Sequence, residues 1–503
     1  MPLRKLFLLA LALYGTGAYA DGKIVGKAAA GSGRICVDPT TLSDARKAPE
    51  IMADTPYSET YRPQFHFSSK TNWLNDPNGL VFFNGEYHLF FQHNPAGINW
   101  GNMTWGHAVS RDLVHWSQLA NALEPDKLGT MFSGSAVIDW HNSTGFGAAA
   151  KPPLVAIYTA AGNTSPESKG APFSQCIAFS LDHGRTFTKF TGNPVLPHIV
   201  AENRDPKLVW FEPTHEWTLA LYLDGEDFAL FTSTDLKHWT QIQKVHMPGC
   251  GECPDFFPIN VHGEKTTKWV LTAANGHYLV GDYDGKKFHA EGTPRVADSG
   301  ANYYAVQTYS DIPASDGRRI QIAWMNGGSY PGMPFNQQMS FPCELTLHRT
   351  PFGLVLRRNP VHEIGSLYKS TFTARGVELA PQQDGLKGAN PRGDLFDIAL
   401  EFKPEQASAV TIKVRGETIT LDLNAGTISF LSRSTPIQPI DGKIKLRLLI
   451  DRSSIELFGN DGQVSMSSCF VPPPENHELS LFVEGATITL GSVVVHELNS
   501  AWN

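Results

Sequence analysis

From Arg62 onward, short apolar runs alternate with polar turns marked by Gly and Pro, the spacing of half-buried strands. Few stretches carry the 3.6-residue apolar period of a helix. One local pattern recurs: an apolar strand, an Asp-containing turn, then an aromatic residue opening the next strand. It is read in His107–Trp116, Ile177–Phe187 and Leu230–Trp239, with a weaker copy in Leu279–Phe288. The turn residues Asp112, Asp182, Asp235 and Asp284 are 70, 53 and 49 residues apart. A period of that length, with several strands per unit, predicts the blades of a β-propeller. Near Thr350–Gly365 the pattern changes. Strand-like segments such as Ala409–Val414, Thr418–Leu423, Lys445–Ile450 and Leu479–Val483 follow, interrupted by the loop Val471–Pro474. They predict a smaller domain of two packed sheets. The expected fold is all-β: a propeller over 61–352, a linker over 353–368 and a β-sandwich over 369–503.

Composition agrees with that picture. The chain of 503 residues contains 11 Trp, 14 Tyr, 29 Phe, 45 Gly and 34 Pro, with 41% hydrophobic and 18% charged residues. This suits a globular protein rather than a disordered one. A net charge of −8 without a long basic run argues against a nucleic-acid partner. At the N-terminus, Arg4 and Lys5 precede the apolar run Leu6–Tyr14 and the small-residue site Ala18-Tyr19-Ala20. That order predicts an export leader over 1–20, cleaved after Ala20, since the run is too short to span a bilayer. A flexible extension is expected over 21–60. The mature protein is expected outside the cytoplasm, extracellular or periplasmic, without a membrane anchor, as a monomer or homodimer.

Export permits disulfides. The six cysteines (Cys36, Cys176, Cys250, Cys253, Cys343 and Cys469) are scattered, and their pairing stays open. Cys250-Gly251-Glu252-Cys253 lacks a second CxxC or a His pair, so no metal is expected, and Asp282-Tyr283-Asp284-Gly285 reads as a turn rather than a calcium loop. No cofactor is expected. Sequons stand at Asn102, Asn142 and Asn163.

Three acidic motifs remain. Asp76 sits in Trp73-Leu74-Asn75-Asp76-Pro77-Asn78-Gly79, read as a tight turn before the strand Leu80–Phe83. Asp205 follows Arg204 and precedes Pro206. Glu252 lies between two cysteines, ahead of Phe256-Phe257. Singly, each is an ordinary turn or surface feature. Together they read as carboxylates delivered from three repeat units, expected to converge on one axis.

This set resembles glycoside hydrolase family 32, the family of invertases, exo-inulinases and levanases. The likeness extends to Gln92-His93-Asn94-Pro95, Trp105-Gly106-His107-Ala108, Phe132-Ser133-Gly134-Ser135 and Ala323-Trp324-Met325. In the C-terminal region Asp451-Arg452-Ser453-Ser454-Ile455-Glu456-Leu457-Phe458 is similar to the family's sandwich signature. The resemblance implies a five-bladed propeller followed by a sandwich, with Asp76 as nucleophile, Glu252 as acid/base and Asp205 as transition-state stabiliser. It further implies a sugar cradle from Asn75, Gln92, Trp100, Phe132, Ser133, Arg204, Cys253 and Trp324, with Asn78, Asn99 and Gln337 as further lining. A retaining mechanism needs one ionised carboxylate and one protonated acid. Phe256-Phe257 and the cysteines are expected to keep Glu252 protonated, Asn75 and turn amides to keep Asp76 ionised, and Arg204 to keep Asp205 charged. Asp298–Ala305 and Gly327–Gly332 depart from the family pattern and are expected at leaving-group subsites.

The implied activity is exo-hydrolysis of terminal fructosyl units from levan or inulin, and from sucrose. A fructosyltransferase or a sucrose-restricted invertase would keep the same carboxylates. A non-catalytic fructan-binding protein is disfavoured because none of the three is missing.

Overall fold

The computed structural model describes residues 57–148 and 151–502. The expected leader, most of the extension and Cys36 lie outside the described residues. Among the described residues the regular structure is almost entirely strand, with the single 3₁₀ turn His362–Leu367. Five sheets are built before Val361 and two after it. In each of the first five, consecutive antiparallel strands form a meander. Its inner strands are Asn72–Phe83, Thr130–Ile138, Arg204–Phe211, Asp255–Asn260 and Tyr304–Thr308, each touching the next in a closed ring. This is a β-propeller. Phe335–Asn336 pairs in parallel with Asn72–Trp73, so a late segment is sewn onto the first sheet and ties the ring shut.

The recurring Asp turns stand at one topological position, between the third and outermost strands of four sheets. Each carboxylate caps the turn: Asp112 accepts from the N–H of Val114 and His115, Asp235 from Lys237 and His238, Asp182 from Thr186, and Asp284 from Lys286 and Lys287. In the first three sheets with this turn, Ser110, Ser180 and Ser233 donate to the same Asp. Asp is used because a short acceptor side chain satisfies turn amides that have no ladder partner.

Two boundaries differ from expectation. Gly353–Pro360, read as linker, is the outer strand of the fifth sheet, paired along its length with Cys343–Thr350. The turn at Pro351-Phe352 reverses the strand rather than ending the domain. The connection is the 3₁₀ turn His362–Leu367, and the sandwich opens with Tyr368–Leu379. At the other end, the last part of the extension is fastened. Tyr57 stacks on Trp502 at 4.0 Å between ring centroids, and Glu59 pairs with Arg62 at 2.5 Å.

The sandwich consists of a six-stranded and a five-stranded sheet enclosing an aliphatic core that includes Ile398, Leu400, Ile412, Leu421, Leu448 and Leu457. Alternation explains it: in Leu479–Glu484 and Ala409–Val414 every second residue faces inward. The seam with the propeller combines an apolar cluster, in which Leu449, Phe458 and Leu498 pack with Leu74 and Phe341, with polar contacts. Asp298–Asn302 lies along Val464–Cys469: Ser299 N–H donates to Ser465 O at 2.8 Å and Asn302 N–H to Ser467 O at 3.0 Å. A Cβ at Gly300 would fall 2.1 Å from Ser467 O, so this contact requires glycine. Arg358 pairs with Asp298 at 2.7 Å, fully buried.

Candidate active site

The N-terminal ends of the inner strands carry the three acidic motifs to one place. Trp73–Gly79 is not a turn before a strand. It is the strand Asn72–Phe83 itself, paired with Glu86–Asn94 through register shifts between Leu74 and Pro77 and between Asn78 and Val81. Pro77 has no N–H for the ladder, so the strand bulges there and re-aims Asp76. Asp205 is the second residue of Arg204–Phe211, and Glu252-Cys253 precede Asp255–Asn260 across the single residue Pro254. Asp205, Glu252 and Cys253 have φ of 65°, 58° and 40°, left-handed values that non-glycine residues rarely adopt. Local strain of this kind concentrates where side-chain direction matters for chemistry.

Asp76, Asp205 and Glu252 line a single cavity of about 390 Å³. Asn75, Gln92, Trp100, Phe132, Ser133, Arg204, Cys253 and Trp324 line it as well. Both oxygens of Asp76 are held: Asn75 donates to Oδ1 at 2.9 Å and Ser133 to Oδ2 at 2.5 Å. Trp73 Nε1 in turn donates to Asn75 Oδ1 at 2.8 Å, which fixes that amide. Asp205 Oδ2 accepts from Cys253 N–H at 2.9 Å. The Cys253 thiol stands 3.4 Å from Asp205 Oδ2 and 3.6 Å from Asp76 Oδ2, between the two aspartates.

Three electrostatic expectations are revised. Phe256 and Phe257 do not shield Glu252; they are fully buried in the packing between blades. Period-2 alternation and the turn at Cys253-Pro254 carry them past the cavity. Instead Glu252 Oε1 accepts from Arg204 Nη2 at 2.5 Å, and Oε2 accepts from the Tyr304 hydroxyl. Arg204 is therefore committed chiefly to Glu252, with its Nε 3.9 Å from Asp205. Asp205 is accordingly not kept in the usual carboxylate range: burial, with Asp76 and Glu252 adding repulsion, pushes it up to about 7 despite Arg204. Burial also raises Asp76, against the opposing hydrogen bonds from Ser133 and Asn75. Burial thus shifts both aspartates toward the protonated form, and the hydrogen bonds from Ser133 and Asn75 are what favour the ionised Asp76 that a nucleophile must be.

Two aromatic groups flank the cavity. Trp100 meets Phe132 edge-on at 6.0 Å, and Phe132 meets Phe173 at 5.6 Å. Trp324 is edge-on to Trp73 at 6.1 Å and to Tyr304 at 6.2 Å. Trp100 is 56% exposed and forms the rim.

Asn78, Asn99 and Gln337 do not line the cavity. Asn78 is buried behind it; with its amide oxygen toward Gln92 it accepts from Gln92 Nε2 at 3.0 Å and donates to Ser133 Oγ at 3.3 Å. Gln337 accepts from Trp324 Nε1 at 2.9 Å and so positions that ring. Asn99 is exposed, its carbonyl accepting from Asn94. Neither Gly327–Gly332 nor Asp298–Asn302 reaches the cavity: both pack toward the sandwich, Tyr330 through Cys469. Only Tyr304 of the second stretch enters. Tyr304, Phe173, Thr164 and Glu202 are lining residues that sequence reasoning missed. For Tyr304 a signal existed, its place in the stretch flagged as divergent. The others lie in loops without a motif.

The five described cysteines, Cys250 and Cys253 included, are free, and no metal-ligating cluster occurs among the described residues.

The comparisons with known proteins agree with this geometry. The sequence model of the glycosyl hydrolases family 32 N-terminal domain matches residues 66–357, and that of the family 32 C-terminal region matches 363–497. A levanase of Bacillus subtilis (strain 168) is 37% identical over 89% of this chain and 72% of its own length. The extracellular exo-inulinase of Aspergillus ficuum is 32% identical over 89% of this chain and 96% of its own. The crystal structure of the exo-inulinase from Aspergillus awamori superimposes with a TM-score of 0.79 and 30% identity, over 89% of this chain and all of that one. Two adjoining family models, relatives similar along both domains and the shared propeller-and-sandwich architecture give one conclusion: the chain belongs to glycosyl hydrolases family 32.

Proposed function

We propose that the protein is an exo-acting, retaining β-fructosidase that removes terminal fructosyl units from fructans and from sucrose outside the cytoplasm. The observation that carries this reading is the convergence of Asp76, Asp205 and Glu252 on one sugar-sized cavity, with both Asp76 oxygens oriented by Asn75 and Ser133. Asp76 attacks the anomeric C2 while Glu252 gives a proton to the leaving-group oxygen, forming a covalent fructosyl-enzyme. Glu252 then takes a proton from a water whose oxygen bonds to C2 as the C2–Asp76 bond breaks, which frees the Asp76 carboxylate and releases fructose with its configuration retained. Asp205 accepts hydrogen bonds from ring hydroxyls as positive charge develops. Trp100, Phe132 and Trp324 supply apolar surface to the furanose, and Gln92 a polar contact. The substrate class is supported by the levanase and exo-inulinase relatives. Secretion is supported by the leader-like composition of 1–20 and by an extracellular relative.

Product analysis on sucrose, inulin and levan tests the reading. β-Fructose as the first-formed product, released from chain ends, is expected. Internal oligomers overturn the exo assignment, inverted fructose overturns the nucleophile, and longer products at high sugar indicate transfer.

A further inference from the structure

The inner strands have two ends, and only one serves the cavity described above. At ~3.3 Å per residue, the strand that begins with Arg204 and Asp205 carries Trp210 about 16 Å further along the axis. There the C-terminal ends of the inner strands enclose a second cavity of about 250 Å³, lined by Trp140, Lys207, Trp210, Thr308, Asp311 and Arg319 among others. We propose that this opposite mouth of the propeller binds one uncharged sugar ring, and that it serves to hold a polysaccharide chain whose end lies elsewhere.

Four observations carry the assignment. The Thr308 hydroxyl is buried and has no hydrogen-bond partner, the condition of a group awaiting a ligand or water. Arg319 donates to two backbone carbonyls, Tyr309 O at 3.0 Å and Pro258 O at 3.3 Å, so its fork has further donors to offer. Asp311 accepts from Ile138 N–H at 2.9 Å and Trp140 Nε1 at 2.8 Å, which leaves lone pairs on both oxygens. An aromatic face is available: Trp140 is 59% exposed, held edge-on against Phe83 at 6.0 Å, and Trp210 is backed by His141 at 4.7 Å.

The charge balance selects the ligand. Lys207 pairs with Asp255 at 3.3 Å in the cavity wall, and Asp255 and Asp311 together act on Arg319, so the two cations are matched by two acids and neither an anion nor a cation meets a net opposite field. Hydroxyl-matching donors and acceptors beside an indole face are the chemistry that recognises a saccharide. The volume lies below the roughly 300–1,000 Å³ of pockets that take larger ligands, which restricts the occupant to a single ring. A polymer held here and cleaved at the other mouth gains from raised effective concentration, whereas a short substrate does not.

Trp140→Ala in the full-length protein tests this, because Trp140 is largely exposed and far from the carboxylates. Mobility is measured in native gels containing levan, inulin or dextran, and kinetics are measured on the polymers and on 1-kestose. Retardation by at least one polymer should fall in the variant. KM for a cleaved polymer should rise about 5–10-fold, while kcat and KM on 1-kestose stay unchanged, and Trp140→Phe should restore most of the binding. Loss of retardation by dextran alone also supports the site, with a glucan as its occupant. Unchanged retardation by all three polymers, or equal changes on 1-kestose and polymer, would overturn the proposal. Because 1-kestose turnover is read separately, failure here is distinct from failure of the β-fructosidase reading.

Discussion

The imidazole of His66, on the segment entering the propeller, is held 2.9 Å from the Asp451 carboxylate of the sandwich, and both side chains are fully buried. Its second nitrogen lies 2.9 Å from Glu456. Asp451 also accepts the N–H groups of Gln64 at 2.7 Å and Phe65 at 3.0 Å. With a carboxylate on each nitrogen, the ring is held as imidazolium. Burial alone would lower its pKa, but the two partners overcome that and push it up to about 9.

Stability therefore depends on this histidine in alkaline solution. A pKa raised from 6.5 to about 9 contributes stability that is full below pH 6.5 and is lost as pH rises through about 9. Thermal unfolding should show Tm declining between those values. His66→Gln should remove that slope and lower stability near neutrality by about 3–5 kcal/mol, the usual cost of breaking a buried pair. A flat Tm profile from pH 6.5 to 9 in the parent would refute the assignment.

Asp76→Asn and Glu252→Gln should each reduce kcat by about 10³-fold or more, since covalent and acid/base steps fail separately. Both are near-isosteric, so Tm should move by only a few degrees. Turnover close to the parent's in either variant removes that residue from its role.

The Cys253 thiol, half-buried in the cavity wall and facing Asp205, Asp76 and Glu252, is pushed well above its ordinary range by desolvation and those carboxylates and stays protonated at neutral pH. Iodoacetamide at pH 7 should leave it unlabelled in the native protein and label it after denaturation. Cys253→Ser, which keeps a donor between the two aspartates, should retain more activity than Cys253→Ala. Rapid native labelling at Cys253 would contradict this.

Trp100 projects at the rim whereas Trp324 is braced by Trp73, Tyr304 and Gln337. Trp100→Ala should raise KM about 5–10-fold, or about 1–1.4 kcal/mol, with kcat within twofold, as expected for uniform binding. Trp324→Ala should lower kcat as well, because Tyr304 and through it Glu252 lose their support. Identical kinetic profiles for the two variants would refute the distinction.

Gly134 sits where two strands of one blade approach: an added Cβ would lie 2.0 Å from Ile157 O. Backbone cannot yield as a side chain tip does, so Gly134→Ala should cost more than ~3 kcal/mol. A chemical-denaturation midpoint equal to the parent's would show that the sheet relaxes there.

Much of the site was legible because its residues stand in short contiguous motifs. Asp76, Asp205 and Glu252, with Asn75, Gln92, Ser133 and Trp324, line one cavity as the motif reading expected. Their partners were not legible. Nothing local to Arg204-Asp205 says that the guanidinium turns to Glu252, which is 48 residues away. Tyr304 likewise reaches Glu252 from the next blade. Asp451 and Glu456 stood out as a signature, yet their work of gripping His66 spans more than 380 residues of sequence.

By itself the sequence determined strand periodicity, the Asp turns of four blades, the order of two all-β domains and which three acidic motifs to place together, because each is written in short contiguous stretches. Tertiary structure alone decided which charges face each other, that Trp73–Gly79 is bulged strand rather than turn, that the divergent segments serve the domain seam, and that the inner strands open onto a second cavity. Those outcomes depend on strands closing into a ring. Ring closure brings together side chains whose separation along the chain carries no record of their contact.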